Sequence, residues 1–137
     1  DPLYRRMVAA EHYNPEATAE DAITSAAAQV AKTVSAAAIV TFTTSGSTTF
    51  RCARERPEVP ILSLTPDMLT ARRLAITWGV HPVQTHTMDD FESMVDTAVK
   101  VAVEEGFAKP GQRVVVTAGV PFGTPGATNI LRIAWAN

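Results

Sequence analysis

The sequence predicts an α/β protein: a three-layer α/β/α sandwich around a mixed, mostly parallel five-stranded sheet with the last strand antiparallel. Short apolar runs alternate with longer segments of three- and four-residue apolar spacing, a pattern typical of strands joined by crossover helices. Capping and stop residues separate these segments. The last two predicted strands have no helix between them, so the final strand is expected to be antiparallel to its neighbour.

Each predicted element begins or ends at a recognisable signal. Thr18–Asp21 has the spacing of a capping box, Pro57 stops a helix, and Gly79 and Gly106 close two others. Five helices are predicted. The first is the tail of a helix over 2–12, and the second is an alanine-rich helix that begins at Thr18. The third runs from the end of the loop 43–48 to Arg56, the fourth covers 67–78, and the fifth lies between Asp90 and Gly106. The predicted strands are 37–42, 59–65, 80–85, 113–118 and 129–135, of which the third is expected to be the least buried.

Composition places limits on the function. The chain has 137 residues, enough for one domain with a single core, and its net charge of -2 gives no electrostatic attraction to nucleic acid or anionic membranes. A single cysteine, Cys52, rules out a disulfide within the chain and suits a reducing, cytoplasmic setting. No apolar run has the length that a membrane span requires.

The segment 43–49 is the most informative for function, because six of its seven residues carry hydroxyls and the seventh is Gly46. It follows a predicted strand and precedes a predicted helix, where backbone amides and the helix dipole attract anions. The alternative is that Ser45 or Ser47 only caps the helix and the threonines fill a polar loop. The loop has no lysine or arginine, although Arg51 could lean back toward it.

The segment 119–127 is the second candidate. Its three glycines and two prolines predict a partly stiffened loop with unusual backbone angles. Thr124 or a backbone amide could close over a ligand held by the first loop. A long hairpin connection is the alternative.

Catalytic and metal motifs are missing from the sequence. No Gly-x-Ser-x-Gly elbow, phosphate-binding Walker loop or dinucleotide fingerprint occurs. His81 and His86 have poor spacing for a metal, and Cys52 falls within a predicted helix and not at its first turn. We therefore expect no catalytic residue, metal site or cofactor in this chain.

Short motifs along nearly the whole chain resemble the carboxyl-terminal domain of pyruvate kinases, in the same order and spacing. They are 15–18, the strand 36–40 with the loop 43–48, 53–57 with 59–62, 70–73, 79–82, 106–107, 110–111, 114–117, and 126–129 with 131–133.

The resemblance implies that catalysis belongs to a β/α barrel that precedes this domain and uses Mg²⁺ and K⁺. Residues 1–14 would be the end of the segment that joins the barrel, and 15–137 the regulatory domain. The isolated fragment is then expected to be inactive, although it belongs to a phosphotransferase of glycolysis. Its partners would be its own barrel and further copies of the subunit in a cytoplasmic homotetramer.

The resemblance also assigns a site for an allosteric phosphorylated effector. The phosphate would lie on Thr43, Thr44, Ser45, Gly46, Ser47 and Thr48. The second loop would close over it with Gly119, Phe122, Gly123, Thr124 and Gly126.

Three departures from the family pattern bear on the effector. Members activated by fructose 1,6-bisphosphate often carry a lysine where Thr44 stands and an arginine where Met94 aligns. The glycine-rich loop 119–127 has no arginine either. We therefore expect a sugar monophosphate or AMP instead of the bisphosphate. A free-standing phosphometabolite-binding module is the alternative function, and an unrelated α/β enzyme is a third.

Overall fold

A computed structural model describes residues 18–88, 90–119 and 128–137. Helices and strands alternate until the last two strands, as the sequence predicts. In chain order the elements are α1 (Ala19–Thr33), β1 (Ala38–Phe42), α2 (Ser47–Arg54), β2 (Ile61–Thr65), α3 (Met68–Leu74), β3 (Val80–Gln84), α4 (Phe91–Glu104), β4 (Arg113–Gly119) and β5 (Thr128–Trp135).

The five strands form one sheet in the order β3-β2-β1-β4-β5. All neighbours are parallel except β4 and β5, which are antiparallel. This confirms the predicted fold class. The register places Thr41 of β1 beside Ser63 of β2 and Thr117 of β4, so hydroxyl side chains share one row across the centre of the sheet.

Two apolar cores cover the two faces of the sheet, because successive residues of a strand point to opposite faces. Ile39 packs with Ala27 and Ala31 of α1 and Cys52 of α2. Val40 belongs to the opposite core, which α4 covers. The buried alanines let α1 approach the sheet closely, and the three layers of the predicted sandwich follow.

The predicted helix over 67–78 is too long. Asp67 caps α3 by accepting hydrogen bonds from the amides of Leu69 and Thr70, but the helix ends at Leu74. The chain then forms a tight turn, in which the amide of Thr77 donates to Leu74 O. Ile76 therefore leaves the apolar stripe and is exposed.

Smaller differences concern the neighbouring elements. α2 ends at Arg54, two residues before the predicted end, and Arg56 has a φ of 47°. β3 is only partly buried, as expected for an edge strand. The predicted helix tail over 2–12 and the boundary at residue 14 lie outside the described residues. Among the residues that the structure describes, no helix is long and apolar enough to cross a membrane.

Candidate functional site

The loop from Thr43 to Gly46 connects the central strand β1 to α2 at the carboxyl end of the parallel strands. The amide of Thr43 donates to Leu64 O of β2, at 3.0 Å. The Thr70 hydroxyl of α3 donates to Thr44 O, at 2.8 Å. The loop is thus held from two sides at the position where α/β sheets present ligands.

Gly46 sets the direction of the chain as it enters α2. Its φ of 92° is a conformation that side chains disfavour, and its amide donates to Thr43 Oγ1 at 2.8 Å. A Cβ at this position would lie 3.1 Å from Phe50 Cε2 and 3.4 Å from Thr70 Cγ2. Gly46 is also the N-cap, and no side chain caps the helix there. Neither Ser45 nor Ser47 is therefore the N-cap residue of α2, although Ser45 Oγ accepts a hydrogen bond from the amide of Ser47 at 3.3 Å.

The outer part of the loop retains hydrogen-bond donors. Thr44 and Ser45 are exposed. The hydroxyls of Thr43 and Ser45 accept bonds from the amides of Gly46 and Ser47, which leaves each hydroxyl proton available. Among the hydrogen bonds within the described residues, none involves the amides of Thr48 or Thr49 in the first turn of α2. These groups can together surround a small anion.

The inner part of the predicted site turns toward α1. Ser47 Oγ donates to Glu20 Oε1 at 2.8 Å, and Thr48 Oγ1 donates to the same oxygen at 3.3 Å. Glu20 is 6% exposed. Two of the six predicted phosphate-binding residues thus already contact a carboxylate of the protein itself.

Two arginines of α2 balance the acidic residues of α1. Arg51 Nε lies 3.4 Å from both Ser47 Oγ and Glu20 Oε1, so this side chain does lean back toward the loop. Its guanidinium also pairs with Asp21, whose Oδ1 lies 3.2 Å from Arg54 Nη2. Asp21 is 1% exposed, whereas the side chains of Arg51 and Arg54 are 28% and 40% exposed. The two acids are thus buried between the helices, and the arginines extend from them to the surface.

The two loops predicted to share a ligand begin and end at the same edge of the sheet. Gly119, the last residue of β4, pairs with Thr128, the first residue of β5. Thr128 is buried, and its hydroxyl contacts that of Thr48. The first turn of α2 therefore touches the base of the second loop. Phe122, Gly123, Thr124 and Gly126 lie outside the described residues.

A row of buried hydroxyls lies beneath α2 and was not singled out by sequence reasoning. Thr49 Oγ1 lies 2.8 Å from Thr41 Oγ1 and 2.7 Å from Ser63 Oγ. Thr117 is fully buried in the same row, and within the described residues its hydroxyl has no hydrogen-bond partner. Hydroxyls in the middle of otherwise apolar strands were the available signal.

The remaining reactive residues lie apart from the loop chemistry. Cys52 is fully buried, and desolvation, followed by the nearby charge of Glu55, raises the pKa of its thiol to about 12. His81 Nε2 lies 3.3 Å from Glu105 Oε2 in an exposed pair. Met94 of α4 is buried. Among the described residues, no group of three or more potential ligands is arranged for a metal ion.

Comparison with known proteins gives consistent matches. The family model described as pyruvate kinase, alpha/beta domain, matches residues 21–134. The pyruvate kinase of Methylorubrum extorquens is 49% identical over 135 residues, which cover 98% of this chain and 28% of the relative. One from Agrobacterium vitis is 43% identical over 134 residues, with the same two coverages. One from Clostridium acetobutylicum is 35% identical over 130 residues, covering 95% of this chain and 28% of the relative. The chain thus spans about 28% of the length of these curated relatives.

Proposed function

Because this chain belongs to the pyruvate kinase alpha/beta domain family, we propose that it regulates a pyruvate kinase by binding a phosphorylated effector on the loop 43–48. The whole protein would transfer the phosphoryl group of phosphoenolpyruvate to ADP in the cytoplasm. Its catalytic barrel, with Mg²⁺ and K⁺, would account for the rest of the length seen in the relatives. This chain would supply no catalytic residue, so the isolated chain should show no turnover.

The observation that carries the proposal is the contact between the first turn of α2 and the first residue of β5, which directly follows the second candidate segment in the sequence. Thr48 in the first turn of α2 contacts Thr128 at the base of the second loop. A phosphate above this point would accept hydrogen bonds from the loop hydroxyls and from the amides that begin α2. The second loop could then close over the remainder of the effector.

The charges around the loop support a monophosphate. Arg51 and Arg54 of α2 are balanced by Glu20 and Asp21 of α1. The loop itself contributes neutral donors, and neutral donors stabilise an anion less than charged ones do. A second phosphate would add charge, and the other cation that the described contacts place near the loop is Arg73, whose guanidinium lies 5.9 Å from the centre of the Phe50 ring. With so little unbalanced positive charge, a sugar monophosphate or AMP fits better than fructose 1,6-bisphosphate.

The surface of β5 supports the proposed subunit contacts. Ile133 and Trp135 expose 43% and 60% of their surface, and the guanidinium of Arg113 stacks on the Trp135 ring at 4.9 Å. Large exposed apolar side chains on one strand favour burial against another protein surface. We propose that this strand and α1 pack against other subunits, and that effector binding shifts this packing and thereby the barrel.

A titration of the intact enzyme tests the proposal. Ribose 5-phosphate, glucose 6-phosphate, AMP and fructose 1,6-bisphosphate would each be added at subsaturating phosphoenolpyruvate, and binding to this chain would be measured by calorimetry. We expect activation and binding by at least one monophosphate. Activation by the bisphosphate alone would contradict the effector class, and no response to any of the four would contradict the regulatory function.

A charge placed on the exposed loop locates the binding site. Ser45→Asp should weaken monophosphate binding by roughly tenfold or more, because the new carboxylate repels the phosphate. Ser45→Asn is the matched control, since it has nearly the same shape without the charge. Thr33→Asp places the same charge at an exposed position near the end of α1 and should change monophosphate binding little. Equal affinities for both Ser45 variants would exclude this loop as the site.

A further inference from the structure

Glu20 stands in an unusual position for a buried carboxylate, because it accepts hydrogen bonds from the same hydroxyls that an effector phosphate would use. We propose that Glu20 is a built-in competitor that lowers the affinity of the loop for anions. The inference rests on the proposed function, since it identifies the residue that tunes the same site.

The hydroxyls of Ser47 and Thr48 have few protons to donate. Each hydroxyl has one proton. Ser47 directs its proton to Glu20 Oε1 at 2.8 Å and accepts from Arg51 Nε at 3.4 Å. Thr48 lies 3.3 Å from the same carboxylate oxygen and also contacts Thr128. A phosphate that takes these protons must therefore displace the Glu20 carboxylate from them.

The negative charge of Glu20 also weakens phosphate binding, as its hydrogen bonds do. A carboxylate at the beginning of α2 interacts with the positive end of the helix dipole that would otherwise attract phosphate. Repulsion between like charges is stronger at a site partly shielded from water, because the effective dielectric constant is lower there. Glu20 thus opposes phosphate binding both by direct contact and through its charge.

The neighbouring carboxylate has a different position and provides a comparison within the same helix. Asp21 pairs with Arg51 and Arg54, whereas Glu20 accepts the hydrogen bonds of Ser47 and Thr48. Asp21 joins α1 to α2 by accepting charge-assisted hydrogen bonds from these two arginines. If Glu20 served only the same structural purpose, removing its charge would loosen the helices without improving phosphate binding.

Displacement of Glu20 would also change the contact between α1 and α2. Glu20 lies in the first turn of α1, whereas Ser47 and Thr48 belong to α2. A phosphate that releases Glu20 from these hydroxyls changes the contact between the two helices. The competing carboxylate therefore links anion binding to the position of α1, which the proposed function assigns to subunit contacts.

The test measures the binding of inorganic phosphate and of AMP to the 137-residue chain by calorimetry. Glu20→Gln keeps the shape and an acceptor oxygen but removes the charge. We expect it to bind both anions roughly three- to tenfold more tightly than the unaltered chain. Asp21→Asn removes the same charge one residue away and should give a clearly smaller gain. Thermal unfolding followed by circular dichroism verifies that each variant is folded at the assay temperature.

A double-mutant cycle separates competition for the hydroxyl from a general charge effect. Ser47→Ala removes the main hydroxyl that Glu20 holds, so the gain from Glu20→Gln should shrink in the Ser47→Ala background. This cycle decides the matter even if Asp21→Asn does not fold. An undiminished gain would show that Glu20 does not compete for Ser47 and would overturn the inference.

The outcomes distinguish this inference from the proposed function. If the unaltered chain and Glu20→Gln bind the anions equally well, the competitor role is wrong and the effector site stands. If only Glu20→Gln binds, the competitor role is supported and natural effector binding is not. If neither binds, both are overturned.

Discussion

The substitution Gly46→Ala tests how the loop before α2 is built. Gly46 has a φ of 92°, and an added Cβ would lie 3.1 Å from Phe50 Cε2 and 3.4 Å from Thr70 Cγ2. Two separate costs follow. One is backbone strain, which any side chain would suffer at this angle, and the other is crowding against α2 and α3.

The magnitude can be worked out term by term. A non-glycine residue in a sparsely populated backbone region costs about 1–3 kcal/mol. The lower entropy of alanine in the unfolded chain offsets about 0.4–1 kcal/mol of this. Crowding adds about 1 kcal/mol, at the low end of the range for overpacking, because the partly exposed Phe50 ring can move while the buried Thr70 methyl cannot. We expect Gly46→Ala to lower the free energy of unfolding by about 2–3 kcal/mol.

Gly111 provides a matched control for this estimate. Its φ is also 92°, but a Cβ there would meet no atom within 4 Å. Gly111→Ala should therefore show the strain without the crowding, a loss of about 1 kcal/mol. Urea unfolding followed by circular dichroism gives both values. Equal losses in the two variants would refute the contact with Phe50 and Thr70, and a loss in neither would refute the positive φ itself.

Three further predictions concern buried polar groups. Asp21→Ala should cost about 1–3 kcal/mol in urea unfolding, because it removes the buried carboxylate that pairs with Arg51 and Arg54, while Arg51 keeps its contact with Glu20. The exposed Glu104→Ala should cost less than about 1 kcal/mol. Equal costs would contradict a buried ion pair. Thr49→Val should cost about 1–3 kcal/mol, because it leaves the buried hydroxyls of Thr41 and Ser63 without this hydrogen-bond partner. Thr33→Val, at an exposed position of α1, is the near-neutral control. Equal costs for the two variants would contradict the row of buried hydroxyls. Cys52 should react with thiol reagents only when the chain unfolds, and its contribution to stability, present below pH 9.0, should be lost as the pH rises toward about 12. Rapid labelling of the native chain at neutral pH would contradict its burial.

Much of the fold could be predicted because its signals are local. The apolar run of β1 and the spacing of α4 each determine an element from consecutive residues. The end of α3 was misjudged because Ile76 has the right spacing for a helix stripe. Its exposure depends on a turn after Leu74 that links α3 to β3, and neighbouring residues alone do not specify that turn.

The loop was predicted for a similar reason, and the acids behind it were missed. Hydroxyls and a glycine between a strand and a helix form a consecutive pattern, which points to Thr43–Thr48 without knowledge of the packing. Glu20 and Asp21 also form a local pattern, because acids in the first turn of a helix favour its dipole. That pattern is satisfied equally well by exposed and by buried side chains.

Whether Glu20 and Asp21 are exposed or buried depends on how α1 packs beside α2. α1 lies beside α2 only because β1, between them in sequence, occupies the centre of the sheet and sends both helices to the same face. Glu20 then meets Ser47 and Thr48, which are 27 and 28 residues away in the sequence. The same two acids would be ordinary first-turn residues on any helix that faced solvent. The feature expected to tune the affinity of the loop is therefore a product of topology, and a single sequence reveals it only after the strand order is known.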